Sequence, residues 1–302
     1  MDKLISVFSK TELPSLKVDS YFENYEDLLR EFRGRKITLV EVGVLGGGSL
    51  QMWKNYFGKD ARIIGVDANP NALKFKNEFE IHIFDQTDLR AWEIFFKTVG
   101  FIDVLIDDGG HTSLGQITTC VGSVNHINND GLIIVEDVHS SYAKDFGMPS
   151  KYSFDNWVMQ IEAQLSKVYL SKKYDLNDYQ NNFIQSVYQV TRFRSMVVFK
   201  IKKTILMPKS IENFSPSEPT EDYRYKGDHV LSKTLRKIIS FNPLDIVSVG
   251  NNRPRLKVLN RILSARIIRI GNRMYLIFKI PIRFFFWLFI KKNVSKNKVF
   301  FS

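Results

Sequence analysis

The apolar positions of the chain change period early. Over residues 21–33, Tyr21, Tyr25, Leu28, Leu29 and Phe32 recur at steps of three and four, which predicts an amphipathic helix. From residue 37 short runs rich in β-branched side chains take over, at 37–42, 61–66, 81–84, 104–106 and 132–135, the last four each followed directly by an acidic residue. Continuous apolar runs of this length predict strands buried on both faces. Helical spacing fills the intervals at 49–57, 88–99 and 113–126, and returns at 152–170. Alternation at 183–188 and 195–201 predicts a closing antiparallel hairpin around Thr191-Arg192. Strands alternating with helices predict an α/β fold with a doubly wound, mostly parallel sheet and a terminal antiparallel hairpin.

The pattern then breaks. Residues 204–228, with Pro208, Pro216 and Pro219, read as a linker. Beyond it Leu256, Leu259, Leu263, Ile267, Ile270 and Met274 keep helical steps, and residues 275–290 hold 13 apolar residues of 16. The expected organisation is a helical N-terminal segment (1–34), a ligand-binding domain (35–203), the linker, and a basic amphipathic C-terminal region (229–302).

Charge sharpens that division. The net charge of +11 combines −4 over residues 1–200 with +15 over residues 201–302, and residues 246–302 carry 13 Lys/Arg and no acid. Basic character confined to the tail argues against a nucleic-acid-binding domain. The longest uncharged stretch there, residues 284–290, has seven residues, against the ~20 needed to span a bilayer. Arginines beside a Phe/Trp/Leu-rich stretch fit an anionic membrane surface. Packing against the protein, or against a second copy in a homo-oligomer, is the other reading. The first eight residues lack the apolar run of a secretory signal, and the one cysteine, Cys120, fits a reducing compartment. The expected location is cytoplasmic, with the tail placing the protein peripherally on the inner face of the membrane.

The candidate chemistry lies at the strand ends. Glu41-Val-Gly-Val-Leu-Gly-Gly-Gly-Ser49 follows the first strand and precedes a helix, so Gly43 and Gly47 belong to a loop whose backbone can approach a ligand. Asp67 ends the second strand, 24 residues after Gly43, where a carboxylate can accept ribose hydroxyls. The glycine spacing differs from GxGxxG, and the strand carries an acid, Glu41, suited to a cationic ligand. Both favour S-adenosylmethionine over a dinucleotide.

Asp107-Asp108-Gly-Gly-His111 closes the fourth strand and Glu136-Asp137 the fifth. Parallel strands bring their C-terminal ends to one edge, so these acids converge. Crowded carboxylates call for protonation or a cation, and oxygen ligands suit Mg²⁺, or Mn²⁺ in its place. His111, three residues after Asp108, is the candidate general base, with an unperturbed pKa of roughly 6.5. His139, His82 and His126 are its rivals.

These motifs, together with Gly65-Val-Asp67, Asp85-Gln86-Thr-Asp88 and Val135-Glu-Asp-Val138, resemble class I S-adenosylmethionine-dependent methyltransferases. More narrowly, the chain resembles the metal-dependent sugar O-methyltransferases of the macrocin and mycinamicin type, over about residues 35–202. The resemblance implies that Glu41, Gly43 and Ser49 line the methionine end of the cofactor, with Asp67 at the ribose and Asp85 and Gln86 beside the adenine. It implies Asp108, Glu136 and Asp137 as ligands of Mg²⁺, Asp107 near the cofactor, and His111 as base. Tyr142, with His139 beside it, would line the acceptor pocket. The implied reaction is Mg²⁺-assisted methylation of a sugar hydroxyl on a glycan, glycolipid or glycosylated metabolite. Methylation of a catechol-like compound, or a non-catalytic adapter role, are the alternatives.

Overall fold

A computed structural model describes residues 2–143, 146, 151–167 and 178–203. The linker and basic tail expected beyond residue 203 lie outside the described residues, as do residues 168–170 of the helix expected at 152–170.

Among the described residues, seven strands form one sheet: β1 (Thr38–Val42), β2 (Arg62–Asp67), β3 (Glu80–Ile83), β4 (Ile102–Asp107), β5 (Ile127–Val135), β6 (Val187–Phe193) and β7 (Met196–Ile201). Their order is β3-β2-β1-β4-β5-β7-β6. The first five pair in parallel, and β7 runs antiparallel to both β5 and β6. Strands β1, β4 and β5 are buried along most of their length, as their largely apolar sequences require.

Helices cover both faces. One core joins Val40, Val42, Ile64 and Ile133 to Trp92, Ile117, Trp157 and Phe183, which come from α4 (Leu89–Val99), α5 (Ser113–Ser123), α6 (Phe154–Lys167) and α7 (Asp178–Ser186). The other joins Leu39, Ile63, Val104 and Ile134 to Leu4 and Val7 of α1 (Leu4–Phe8), Tyr21, Tyr25 and Leu29 of α2 (Tyr21–Leu29), and Trp53 of α3 (Gly48–Phe57). The N-terminal residues therefore share a core with β1 and β2. Local signals set the helix starts: the Asp88 carboxylate accepts from the amides of Arg90 and Ala91, and the Thr112 hydroxyl accepts from Gly115. The helix expected over 21–33 ends at Leu29 and tightens into a 3₁₀ turn, Arg30–Phe32.

The closing hairpin departs from its expected boundaries. Residues Asp178–Ser186 are helical, and β6 starts only at Val187. Phe183 is buried against Trp157 and Phe199 at ring distances of 4.9 and 5.0 Å. Gln180, Phe183 and Ser186 are buried at steps of three, a helical face that a short apolar run cannot distinguish from a strand. The turn lies at Arg194-Ser195 rather than Thr191-Arg192, with Ser195 at φ +62°.

Candidate active site

The sheet register brings the strand ends together. Val42 pairs with Val66 and Asp107, and Asp107 with Val135. The ladder continues one residue further: Gly43 N–H donates to Val66 at 2.8 Å, Asp108 N–H to Val42 at 3.0 Å, and Glu136 N–H to Asp107 at 2.9 Å. A cavity of about 650 Å³ opens along this edge. Its wall includes Gly43, Ser49, Asp67, Asp85, Gln86, Asp108, His111 and Asp137.

The glycine loop folds around two close approaches. Gly43 has φ +94°, and a Cβ there would lie 2.1 Å from the Asp108 carbonyl oxygen, so the loop and the β4 end can touch only without a side chain. A Cβ on Gly48 would lie 2.3 Å from the Leu13 carbonyl oxygen. The second approach is therefore made by the chain's own segment 11–18, which runs over the loop and adds Ser15 and Leu16 to the cavity wall. Gly47 lies beside the Phe75 ring and outside the wall. Asp67 accepts from the amides of Val44 (2.9 Å) and Asn69 (2.8 Å), which holds the loop while the carboxylate stays half-buried at the cavity.

Within the wall, Gln86 is a clamp. Its Nε2 donates to both Asp107 oxygens (3.1 and 3.0 Å) and to Thr119 Oγ1 (3.1 Å), while its Oε1 accepts from Gly110 N–H at 2.8 Å. Asp107 is fully buried. Burial pushes its carboxyl above the ordinary range, and hydrogen bonds from Thr119, Gln86 and Gly109 oppose that shift.

The acids divide into two groups. The inner group surrounds Lys17, whose Nζ lies 2.6 Å from Asp108 Oδ2, 2.7 Å from Glu136 Oε1 and 3.3 Å from Glu41 Oε1. Glu41 also accepts from Ser49 Oγ at 2.6 Å and Trp53 Nε1 at 3.0 Å, and Tyr25 donates its hydroxyl to Glu136 Oε1. Burial opposes the charge on Lys17, but Glu136, Glu41 and Asp108 outweigh it and hold the ammonium well above its ordinary pKa. Burial pushes Glu136 and Glu41 upward in turn, against the pull of Lys17.

The outer group is Asp108, His111 and Asp137, with one ligand atom of each within 4.8 Å of the others. His111 Nε2 lies 3.6 Å from Asp137 Oδ2 and 3.9 Å from Asp108 Oδ1, and its buried Nδ1 has no hydrogen-bond partner among the described residues. Two carboxylates beside an imidazole fit a divalent cation. His111 and Asp137 both sit at positive φ, +52° and +53°. Such strain persists only where the surroundings over-determine it, and it clusters at functional sites. Tyr21, which donates to Asp137 Oδ1 at 2.7 Å and accepts from the Asp137 amide at 3.2 Å, helps to hold it there.

The overall fold recurs in solved structures. A mycinamicin-pathway methyltransferase, MycE, in complex with Mg and SAH superposes with a TM-score of 0.61 at 19% identity, over 72% of this chain and 57% of that one. The fold is that of a class I methyltransferase. No family model matches the chain. Among curated proteins, a Streptomyces olivaceus 8-demethyl-8-alpha-L-rhamnosyl tetracenomycin-C 2'-O-methyltransferase is 34% identical over 132 residues, 41% of this chain and 35% of that protein. The Micromonospora griseorubida mycinamicin VI 2''-O-methyltransferase is 29% identical over 131 residues, 41% and 33% of the two. The matched stretch thus spans about a third of the length of these relatives.

In this methyltransferase fold the residues singled out in the sequence occupy different layers. Gly43, Ser49, Asp67, Asp85, Gln86, Asp108, His111 and Asp137 line the cavity, whereas Glu41, Asp107 and Glu136 stand behind it in hydrogen-bonded pairs. His139 is 65% exposed, with Nδ1 2.5 Å from Ser195 Oγ. Tyr142 is 63% exposed and donates to Asp155. Neither lines the cavity. Of the rival histidines, His82 Nε2 meets Glu80 at 2.9 Å, and His126 stacks on Phe96 at 4.3 Å. Both lie away from the cavity wall.

Lys17, Tyr21 and Tyr25 are the residues the sequence did not single out. The two tyrosines read as an apolar helix face, and nothing local marks Lys17 among the neighbouring polar residues. Their i, i+4 spacing on one face was the only available hint that two hydroxyls point the same way.

Proposed function

We propose that the protein transfers a methyl group from S-adenosylmethionine to a sugar hydroxyl, with Mg²⁺ assisting. The single observation that carries the reading is the joined cavity: a glycine loop and Asp67 at one end, and Asp108, His111 and Asp137 at the other. The relatives named for sugar O-methylation support the same acceptor class. In this reading Asp67 takes the ribose hydroxyls with the lone pairs its amide partners leave free. Ser49 and Gly43 bound the methionine end, and Asp85 closes the wall at the adenine.

Asp108 and Asp137, with Glu136 behind them, would hold the cation through oxygen, the donor type Mg²⁺ prefers, which would leave the imidazole available. When bound, Mg²⁺ lowers the pKa of a coordinated hydroxyl. His111 would take the acceptor hydroxyl's proton at Nε2, the ring nitrogen that faces both carboxylates. Positioning of the hydroxyl in line with the methyl supplies the remaining rate.

Calorimetry with S-adenosylmethionine, with and without Mg²⁺, tests binding, and methyl transfer to glycosylated acceptors tests turnover. His111→Ala and Asp108→Ala should abolish turnover while cofactor affinity stays intact. Turnover retained by both refutes the assignment. The acceptor is named by comparing glycans, glycolipids and glycosylated metabolites of cells with and without the active protein, for a mass difference of one methylene. From its sequence, the basic tail is proposed to hold the protein at the cytoplasmic face of an anionic membrane. Liposome flotation of the full chain against one ending at Lys203 tests this.

A further inference from the structure

Consecutive residues of an extended strand send their side chains to opposite faces of the sheet. The neighbours Glu136 and Asp137 are nevertheless both met by one face of α2. Tyr25 donates its hydroxyl to Glu136 Oε1, and Tyr21, one turn earlier, donates to Asp137 Oδ1 at 2.7 Å. The alternation breaks at Asp137, which stands just past the end of β5 with φ +53° and ψ +38°. Both phenols are themselves fixed. Tyr21 and Tyr25 are buried, and the Tyr25 ring meets the Trp53 ring edge-on at 4.9 Å. The Tyr21 hydroxyl also accepts from Asp137 N–H at 3.2 Å and lies 3.1 Å from the Ser195 carbonyl oxygen.

These contacts divide the oxygens of each carboxylate. Glu136 Oε1 takes Tyr25 and Lys17 together, and no described residue donates to Oε2. Asp137 Oδ1 takes Tyr21, while Oδ2 stands 3.6 Å from His111 Nε2, beyond hydrogen-bond length. We propose that Tyr21 and Tyr25 are positioning residues of the cation site: each phenol holds one oxygen of its acid, so that Glu136 Oε2 and Asp137 Oδ2 are kept for the metal. The proposal rests on the cation reading above. A carboxylate turns about its last bond, and a hydrogen bond to one oxygen fixes where the other points. Such outer contacts orient the ligands and set how tightly a metal is held. Because a phenol is neutral, it orients the acid without adding a charge that would repel a dication.

The test uses the full chain, with Mn²⁺ alone as the probe, followed by calorimetry and by electron paramagnetic resonance. Tyr21→Phe and Tyr25→Phe each remove a hydroxyl and no charge. Each should weaken Mn²⁺ binding by about tenfold or more and change the resonance line shape of the bound ion. Tyr56→Phe is the control. Its hydroxyl lies in the same core but meets Glu26, at 3.3 Å, rather than an acid of the site. Mn²⁺ affinity in this variant should stay within about twofold of wild type.

Melting midpoints of the same three variants without cation separate positioning from folding. A purely structural role lowers the midpoint and leaves Mn²⁺ affinity and line shape alone, and that result in Tyr21→Phe or Tyr25→Phe overturns the proposal. Asp137→Asn alters a ligand itself and so reports on the underlying reading. If it binds Mn²⁺ like wild type, the cation reading falls and the proposal falls with it. If it loses Mn²⁺ while both phenylalanine variants keep theirs, the positioning role alone fails.

Discussion

Replacing Gln86 by leucine keeps the volume of a buried side chain and removes one amide that joins three elements. The Nε2 group donates to Asp107 at 3.1 and 3.0 Å and to Thr119 at 3.1 Å, and Oε1 accepts from Gly110 at 2.8 Å. A hydrogen bond to a charged group contributes ~1.5–3 kcal/mol, and an orphaned, partly buried amide costs ~1 kcal/mol more. Gln86→Leu should therefore destabilise the protein by about 3 kcal/mol. At ~2–4 °C per kcal/mol for a domain of this size, the melting midpoint should fall by roughly 6–12 °C.

The loss should depend on pH. Burial raises the Asp107 pKa in the folded state, so its charged form is the costly one. A raised folded-state pKa gives a contribution that is present at low pH and lost as pH rises through the folded value. Removing a donor to the carboxylate enlarges that loss, so Gln86→Leu should be most damaging at neutral pH and less so as pH falls toward the ordinary carboxyl range. Urea unfolding between pH 4 and 8, in parallel with S-adenosylmethionine titration, reads both effects. A variant as stable as wild type with weakened cofactor affinity would refute the clamp and return Gln86 to the adenine.

Three further outcomes follow from the same geometry. Gly43→Ala combines a left-handed φ, costing ~1–2 kcal/mol, with a backbone clash at Asp108, so urea melts should show at least that loss and Mn²⁺ titration a displaced ligand. Unchanged melts and titration would contradict the close approach. Cys120 is fully buried, and burial pushes its thiol well above the ordinary pKa. A disulfide reagent should modify it only at the rate of unfolding, and prompt labelling of native protein would disagree. Burial raises the Glu80 carboxyl, but hydrogen bonds from His82 and Arg62 outweigh it and leave the pKa below 4.5. Its contribution is present above that value and lost as pH falls. Glu80→Gln should therefore be less stable than wild type at pH 7 and match it in acid, whereas a constant gap across pH would count against the pairing.

The buried strands were legible because their signal is local. β1, β4 and β5 announce themselves by short apolar, β-branched runs, and Asp88 by its place ahead of a helix. The convergence of Asp108 and Asp137 was legible too, since parallel strands put their C-terminal ends on one edge whatever the helices do. Where periodicity was ambiguous, as at Phe183, burial against Trp157 chose helix over strand. The sequence by itself thus determined the fold class, the cavity edge and most of its wall. Only the tertiary structure separated the wall residues Asp108, His111 and Asp137 from the buried Glu41, Asp107 and Glu136. It alone brought Lys17 to Glu136, 119 positions away, and Tyr21 to Asp137, 116 positions away. Alternating apolar and polar positions say which side of an element is buried. They carry no record of which distant charge will meet it there, because that is set by how a loop threads across the finished sheet.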